Sequence, residues 1–440
     1  MHYPGVFLTR PIRIAIMLCL FLSFFILSPL IILYTAGYTF NFSTFHIEQT
    51  GVISIDVTPN DAKVYLNNIF INAKLPIRLA NYLPGVYHLR IQKEGYHDWV
   101  QDISVETKKT TYIKDISLYK EATPEKILSS STGTNISFSS DGHFVAMLQN
   151  DSEGQSISLK NLLDNTETNI FHTTSSISPQ IFWSPHTNLL LVVSQNGDAQ
   201  DLVFYNPTNR VTFKTEVVSP TLSFQWDKKN LNRIYVQEGT NINAIDFGKS
   251  PHLLIAHTNS PIWYVDSNQR LWTQSASSNE TILLIDTFKQ TTSFHLPQNI
   301  DKIIDANENF LLGTYRGKAL VFSQKNSAYA LNKSFDFTRY FYSAAQSRYV
   351  FWSAWEIYSI DEAGKIDLLN RSGESIDDVF LLQESNSFLI KNRHSLIAFN
   401  PGYNTQQELL SNDNMEKVAL DEKNHLILFS YSGDIYKLSF

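Results

Sequence analysis

Between residues 51 and 120 the chain contains several segments in which apolar and polar positions alternate. Residues 53–57 read Ile-Ser-Ile-Asp-Val, and residues 87–92 read Tyr-His-Leu-Arg-Ile-Gln. A period of two is typical of strands with one buried and one solvated face. Asn67-Asn68 and Pro84-Gly85 supply turn-forming pairs between such segments. We predict a small antiparallel β-sandwich over residues 51–120.

A different pattern covers residues 125–440, where an apolar strand, a polar turn and a second apolar strand recur. Residues 136–146 and 181–191 are the clearest copies. A period of about 40 residues with four short strands per unit predicts a β-propeller. We expect eight blades, with seven as the alternative because the fourth and fifth units are weak. The first strands are marked by Phe138, Phe182, Phe224, Tyr264, Ile304, Tyr342, Leu382 and Leu420.

The last unit ends at Phe440 after only three recognisable strands. Residues Glu125 to Ser129 lie just before the first unit and have the length of a strand. Pairing them with the last unit would join the first and last blades and remove an open sheet edge. We therefore predict that this segment closes the ring.

Residues 14–34 form an uncharged apolar run of about 21 residues, which is long enough to cross the hydrocarbon core as a helix. Arg10 and Arg13 precede the run, and the next basic residue is Lys63. By the positive-inside rule, residues 1–13 are expected in the cytoplasm and residues 38–440 outside it. The lipid bilayer is thus the predicted partner of residues 14–34.

A cleaved signal peptide is the alternative for this run. We favour an uncleaved signal-anchor, because the run exceeds the usual apolar length and Thr35-Ala36-Gly37 is a poor cleavage site. Cys19, the single cysteine, lies inside the run, so the chain can form no internal disulfide and no cysteine metal site.

Residues 51–120 also resemble a known family, the PEGA domain. Asn60 and Asp61 depart from the family's Pro-Glu-Gly-Ala signature, and Asn68 stands where the family usually has glycine. The resemblance implies a surface-exposed sandwich, often beside a membrane anchor or other envelope domains, without catalytic residues. The matching segments are Pro59 to Asn68, Leu75 to Ile77, Leu83 to Tyr87 and Lys93 to Trp99. The later Phe138 to Gly142 turn resembles WD-like propellers of the bacterial envelope.

The predicted fold class is mainly β, with an N-terminal transmembrane helix, a small PEGA-like β-sandwich and a β-propeller. The segments expected in order are a cytoplasmic N-terminus at 1–13, the transmembrane helix at 14–34, a linker at 35–50, the sandwich at 51–120, a second linker at 121–124 and the propeller at 125–440.

Composition and motifs argue against several kinds of chemistry. The net charge is −7, and no basic run suggests nucleic acid binding. No nucleophile elbow, zinc-protease spacing or calcium loop occurs, and Asp141-Gly142 and Gly197-Asp198 are expected to be hairpin turns. We expect no catalytic, cofactor-binding or metal-binding residues and no cofactor. The strand-end histidines His172, His257 and His295 are expected to be exposed.

The segment from Phe335 to Tyr358 is unusually aromatic. Packing between blades is the favoured interpretation, and a platform for stacking on sugar rings is the alternative. Ligand-binding residues remain unassigned. Four nearby carboxylates are expected to be solvated turn residues: Asp361, Glu362, Asp377 and Asp378.

Because a propeller can host many functions, three hypotheses follow. The favoured one is a membrane-anchored, non-catalytic binding or scaffold protein of the cell envelope, with a protein or polysaccharide partner. The others are a propeller enzyme acting on carbohydrate or a small ester, and a purely structural component of an envelope or secretion assembly.

Overall fold

A computed structural model describes residues 10–41, 45–129, 135–325 and 328–440. The chain divides into two compact units, residues 1–121 and 122–440. Outside the described residues lie 1–9 of the predicted cytoplasmic segment, 42–44 of the first predicted linker, and 130–134 and 326–327 of the predicted propeller.

The N-terminal helix α1 covers Arg10–Thr35 and so begins four residues before the predicted run. Arg10 and Arg13 therefore lie in its first turn, and Pro29 is inside it. At 1.5 Å per residue its 26 residues extend about 39 Å. Its apolar side chains are exposed, and it is long and apolar enough to cross a membrane.

A two-stranded hairpin occupies much of the segment expected to be a linker, and the sandwich follows it directly. Gly37 has a φ of +78°, which ends α1, and the hairpin begins one residue later. The strands of this unit are β1 (Tyr38–Asn41), β2 (His46–Gln49), β3 (Gly51–Thr58), β4 (Lys63–Leu66), β5 (Ile69–Ile71), β6 (Ile77–Tyr82), β7 (Gly85–Gln92), β8 (Trp99–Val105) and β9 (Thr110–Ser117).

The sandwich consists of two sheets, with strand orders β5-β4-β7-β8 and β6-β3-β9. Alternate residues of β3 and β7 face inward, and Ile53, Ile55, Leu89 and Ile91 are fully buried. The expectation of a wholly antiparallel sandwich was wrong, because β3 and β9 pair in parallel. Strand β9 enters its sheet from β8 of the other sheet, so no hairpin forces it to run opposite to β3.

The described part of residues 122–440 forms eight four-stranded blades, of which the fourth and fifth are joined at their outer edges by one parallel bridge between His295 and Ala328. One short strand, β10 (Glu125–Leu128), precedes the first blade. The others are β11 (Asn135–Phe138), β12 (Phe144–Asp151), β13 (Gly154–Asn161), β14 (Glu167–Thr173), β15 (Gln180–Trp183), β16 (Leu190–Asn196), β17 (Ala199–Asn206), β18 (Val211–Val217), β19 (Phe224–Trp226), β20 (Arg233–Glu238), β21 (Asn241–Asp246), β22 (Leu253–His257), β23 (Trp263–Val265), β24 (Leu271–Ser275), β25 (Ser278–Ile285), β26 (Thr291–His295), β27 (Lys302–Ala306), β28 (Phe310–Tyr315), β29 (Lys318–Lys325), β30 (Ala328–Asp336), β31 (Arg339–Ser343), β32 (Arg348–Trp352), β33 (Glu356–Asp361), β34 (Ile366–Arg371), β35 (Ile376–Leu382), β36 (Ser387–Asn392), β37 (Ser395–Asn400), β38 (Thr405–Ser411), β39 (Met415–Asp421), β40 (Leu426–Tyr431) and β41 (Asp434–Ser439).

Blades 1 to 7 each take four consecutive strands, beginning with β11–β14, and blade 8 combines β39, β40 and β41 with β10. First strands of neighbouring blades contact each other, as β23 does with β27 and β11 with β39. The apolar cores lie between blades. Leu191 and Val193 of blade 2, for example, pack with Ile234 and Val236 of blade 3. The prediction of an eight-bladed propeller is confirmed.

Ring closure follows the predicted route. Strand β10 pairs antiparallel with β41, and Glu125 lies opposite Lys437. Ile127 and Leu128 are half-buried and pack in a cluster that contains Ile435 of blade 8 and Val145 of blade 1. Since β10 precedes the first blade and completes the last one, it couples the two ends of the propeller.

Candidate functional site

The aromatic segment of blades 5 and 6 serves mainly for packing. Phe335 stacks on Tyr358 with ring centroids 4.3 Å apart, and Tyr340 stacks on Phe351 at 5.0 Å. Strand periodicity turns most of these rings between the blades. Trp355 differs from them, because it lies in the turn between β32 and β33 and is 55% exposed.

The backbone around Trp355 is held firmly although its ring is exposed. The Ser353 hydroxyl accepts hydrogen bonds from the Trp355 and Glu356 amides, at 3.2 and 3.1 Å. The Trp355 carbonyl accepts a hydrogen bond of 2.8 Å from the Ser372 amide. The turn is therefore tied to the end of β34, which holds the backbone that carries the indole.

Trp355 lies on a groove of about 560 Å³ at the end of blade 6. We call it the Trp355 groove. A volume of this size suits a small ligand or a short stretch of a polymer. Its lining residues are Asp336, Phe337, Thr338, Ser353, Ala354, Trp355, Glu356, Arg371 and Ser372.

Paired charges flank the indole. Arg371 Nε donates to Glu356 Oε1 at 2.9 Å, and the Tyr358 hydroxyl donates to Glu356 Oε2 at 2.8 Å. Burial, and then the bond to Glu356, raise the pKa of Tyr358. The Arg371 side chain is 72% exposed, which leaves N–H groups facing solvent. The Trp355 groove thus offers a flat apolar face beside hydrogen-bond donors and acceptors.

The opposite end of the propeller contains a second polar cluster, built on Lys228 in the turn between β19 and β20. The Lys228 ammonium of blade 3 donates to Asp305 Oδ2 of blade 5 at 2.7 Å and also to the Tyr349 hydroxyl of blade 6. It lies 4.8 Å from the ring centroids of Tyr342 and Tyr349 and 5.7 Å from that of Tyr264. We call these five residues the Lys228 cluster.

Asp305 is the acceptor at the centre of the Lys228 cluster. Besides the bond from Lys228, it accepts hydrogen bonds from the hydroxyls of Tyr264 and Tyr349, at 2.7 and 2.8 Å, and from the Ala306 amide, at 2.9 Å. Burial, followed by the charge of Asp305, raises the pKa of both tyrosines well above the usual range. Four protein donors already surround the carboxylate, so the cluster joins blades 3 to 6 and leaves Asp305 little capacity for a ligand.

The pKa values of two other groups around Lys228 are also shifted. Burial, and then the positive charge of Lys228, lower the pKa of His186 in blade 2. The Tyr342 hydroxyl donates to Glu362 at 2.6 Å, and burial together with that bond raises the pKa of Tyr342 to about 12. Among the described residues, no group of three or more His, Cys, Asp or Glu side chains could hold a metal ion.

The turn predicted at Asp141-Gly142 lies at the seam between blades 8 and 1. His143 places Nδ1 2.9 Å from Asp141 and Nε2 3.3 Å from Asp421 of blade 8. Gly142 has a φ of +73°, and a side chain there would meet the backbone of Leu420 at 3.1 Å. These contacts bridge the seam, so this turn also has a structural role.

The remaining residues singled out from the sequence lie apart from one another. His172, His257 and His295 are exposed in the fourth strands of blades 1, 3 and 4. The expectation that Asp377 and Asp378 are solvated turn residues was wrong, because both lie in β35. Asp377 binds Lys391 at 2.8 Å, and Asp378 is half-buried against Arg339. Asp361 accepts the amides of Ala363 and Lys365 within its own turn, as expected of a turn carboxylate.

Comparison with known families bears on the first unit. Residues 50–121 match the PEGA domain family. This segment is similar to PEGA domains. The match covers the two sheets of the sandwich and confirms the resemblance seen in the sequence. No curated protein matches the chain.

Solved structures resemble the chain at the level of fold. Dipeptidyl peptidase 4 of Porphyromonas gingivalis is 11% identical, with 70% of this chain and 59% of that chain covered and a TM-score of 0.44. Hsv2 of Kluyveromyces lactis is 13% identical, with 64% and 99% covered and a TM-score of 0.38. An oligogalacturonate lyase in complex with manganese is 12% identical, with 72% and 96% covered and a TM-score of 0.40. At such similarity we transfer no activity from them.

Proposed function

We propose that this protein is a membrane-anchored, non-catalytic binding protein of the cell envelope. In this proposal α1 spans the bilayer, and the PEGA domain and the propeller lie outside the cytoplasm. The positive charges of Arg10 and Arg13 at one end of α1 support this orientation, since no other basic residue occurs before Lys63. The match to the PEGA domain family supports it as well, because that resemblance implies a surface-exposed sandwich beside a membrane anchor.

The proposed ligand is a polysaccharide, and the exposed indole of Trp355 is the observation that carries this part. Sugar rings present apolar C–H faces that stack on aromatic rings, while their hydroxyls need donors and acceptors at the edge. The Trp355 groove supplies both kinds of contact, with Glu356, Arg371 and several hydroxyls beside the indole. A protein partner is the alternative occupant.

Topology is tested by adding protease to spheroplasts. If the proposal is correct, the PEGA domain and the propeller are digested while a cytoplasmic marker stays intact. Protection of both would place residues 38–440 in the cytoplasm and refute the orientation.

Ligand binding is tested with the full chain in nanodiscs on an array of envelope glycans, followed by calorimetry on the glycans that bind. Trp355→Ala should weaken binding by about 10- to 100-fold, because the stacking surface is lost. The matched control is Phe288→Ala, which removes an aromatic ring that is 85% exposed on blade 4. Absence of any glycan ligand, or equal losses in the two variants, would refute the polysaccharide proposal.

A further inference from the structure

The hairpin β1–β2 has two chemically different faces. Phe40 lies opposite Ile47, and Tyr38 lies opposite Gln49, so these four side chains share one face. The Gln49 amide donates to the Tyr38 hydroxyl on that side. On the other face, Asn41 Nδ2 donates to Glu48 Oε1 at 3.0 Å. The hairpin is therefore amphipathic: the face with Phe40 and Ile47 is apolar, and the opposite face is polar.

The apolar face is exposed to an unusual extent for so small an element. Phe40 is 43% exposed, Ile47 55% and Phe45 76%, and the rings of Phe40 and Phe45 contact each other at 6.3 Å. The hairpin forms a sheet of its own with two strands. An isolated two-stranded hairpin is marginally stable in water, and it needs a surface against which to bury its apolar side.

Its attachment restricts which surface that can be. Only Ala36 and Gly37 separate the end of α1 from β1. The Gly37 carbonyl accepts hydrogen bonds from the Thr50 amide and the Thr50 hydroxyl, both at 2.7 Å. These bonds close the base of the hairpin. Phe40 can lie no more than about 18 Å from the end of the helix, given the reach of five residues. If α1 spans the bilayer, the hairpin is held at the membrane–water boundary.

We propose that the hairpin β1–β2 rests in the lipid interface, with Phe40, Phe45 and Ile47 directed into the boundary between headgroups and acyl chains. This inference rests on the proposed role of α1 as a membrane span. Phe and other apolar side chains of an amphipathic segment are buried at that boundary, while the polar face of the segment stays wet. No Lys or Arg occurs between Arg13 and Lys63, so the contact depends on apolar area and not on anionic lipid.

The test measures the depth of a fluorescent label in the full chain, reconstituted in nanodiscs that contain spin-labelled lipid. Cys19→Ser removes the single cysteine, and an environment-sensitive dye is then attached at one new cysteine per variant. Ile47→Cys probes the apolar face. His46→Cys is the matched control, because it is the adjacent residue on the polar face. Met17→Cys reports on α1 itself.

With lipid spin-labelled near the headgroup, quenching at position 47 should exceed that at position 46 by about two- to threefold. The difference should persist when zwitterionic lipid is replaced by anionic lipid. Strong quenching at position 17 upholds the anchor. If position 17 is quenched strongly, equal quenching at positions 46 and 47, or a difference between them that appears only with anionic lipid, would overturn the inference about the hairpin. Weak quenching at position 17 would refute the proposed anchor and the inference that depends on it.

Discussion

A disulfide across the closing seam should stabilise the propeller more than one placed within a blade. Glu125 of β10 lies directly opposite Lys437 of β41, and their charged groups are 3.1 Å apart. Opposed residues of antiparallel strands have Cα atoms about 4.5–5.5 Å apart, which is within the range that a disulfide bridges. The variant Glu125→Cys with Lys437→Cys, in a Cys19→Ser background, should therefore crosslink under mild oxidation.

The expected gain follows from the length of chain that the bond encloses. Positions 125 and 437 close a loop of roughly 310 residues, for which chain entropy predicts about 5–6 kcal/mol. The matched control joins Lys160 and Glu167, an oppositely charged pair that lies on the adjacent third and fourth strands of blade 1, β13 and β14. That loop has about eight residues, for which the same relation predicts about 2.5 kcal/mol. The seam bond should exceed the control by about 3 kcal/mol.

Unfolding in guanidinium, followed by tryptophan fluorescence with and without reductant, gives the two gains. Six of the seven tryptophans lie in the propeller, so this signal reports mainly on that unit. Failure of the seam cysteines to crosslink would show that β10 does not pair with β41. A seam bond that forms but stabilises no more than the control would show that closure does not hold the ring together.

Two other predictions concern buried charges. Lys228→Met should destabilise the propeller by about 2–4 kcal/mol, because Asp305 loses its cation. Adding Asp305→Asn should restore most of this stability, as measured by urea unfolding. If the losses of the two single variants simply add in the double variant, this account is wrong. The pKa of Asp246 is lowered by its hydrogen bond to Arg233, whereas burial raises the pKa of Asp378. Asp246→Asn should therefore destabilise the protein at neutral pH, and this loss should disappear as pH falls through and below 3.8. The Asp378 carboxylate destabilises the wild type above its raised pKa, so Asp378→Asn should stabilise the protein least in acid. Parallel pH profiles of unfolding free energy for the two variants would contradict both signs.

The repeat was predictable because each blade begins with the same local pattern. All eight sequence markers, from Phe138 to Leu420, lie in first strands of blades, including those of units four and five, where the repeat pattern is weaker. The ring-closing strand was predictable for a related reason: a three-stranded last unit leaves an edge that a nearby apolar segment can cover. The parallel pairing of β3 with β9 was not predictable, since alternation of residues is the same in both directions.

The Lys228 cluster could not be read from the sequence. Lys228 and Tyr349 are 121 residues apart and lie three blades apart, so no local spacing connects them. The cluster forms because first strands and the start of a second strand meet around one end of the ring, where Lys228 extends from its turn. Trp355 left a weak signal that could have been used: it falls in a polar turn, Ser-Ala-Trp-Glu, outside the strand periodicity that buries the aromatic residues on either side.

The two ends of the propeller differ in how much hydrogen-bonding capacity is left over, and this difference favours the Trp355 groove as the place where a ligand binds. At the other end, Asp305 already accepts from four protein donors, so a ligand would have to displace one of them and leave it unpaired. In the Trp355 groove, the guanidinium of Arg371 and the indole face contact solvent, and a ligand there replaces water without breaking a protein contact. The packing and platform interpretations of the aromatic segment are therefore compatible, since most of its rings are buried between blades while Trp355 is exposed in a turn.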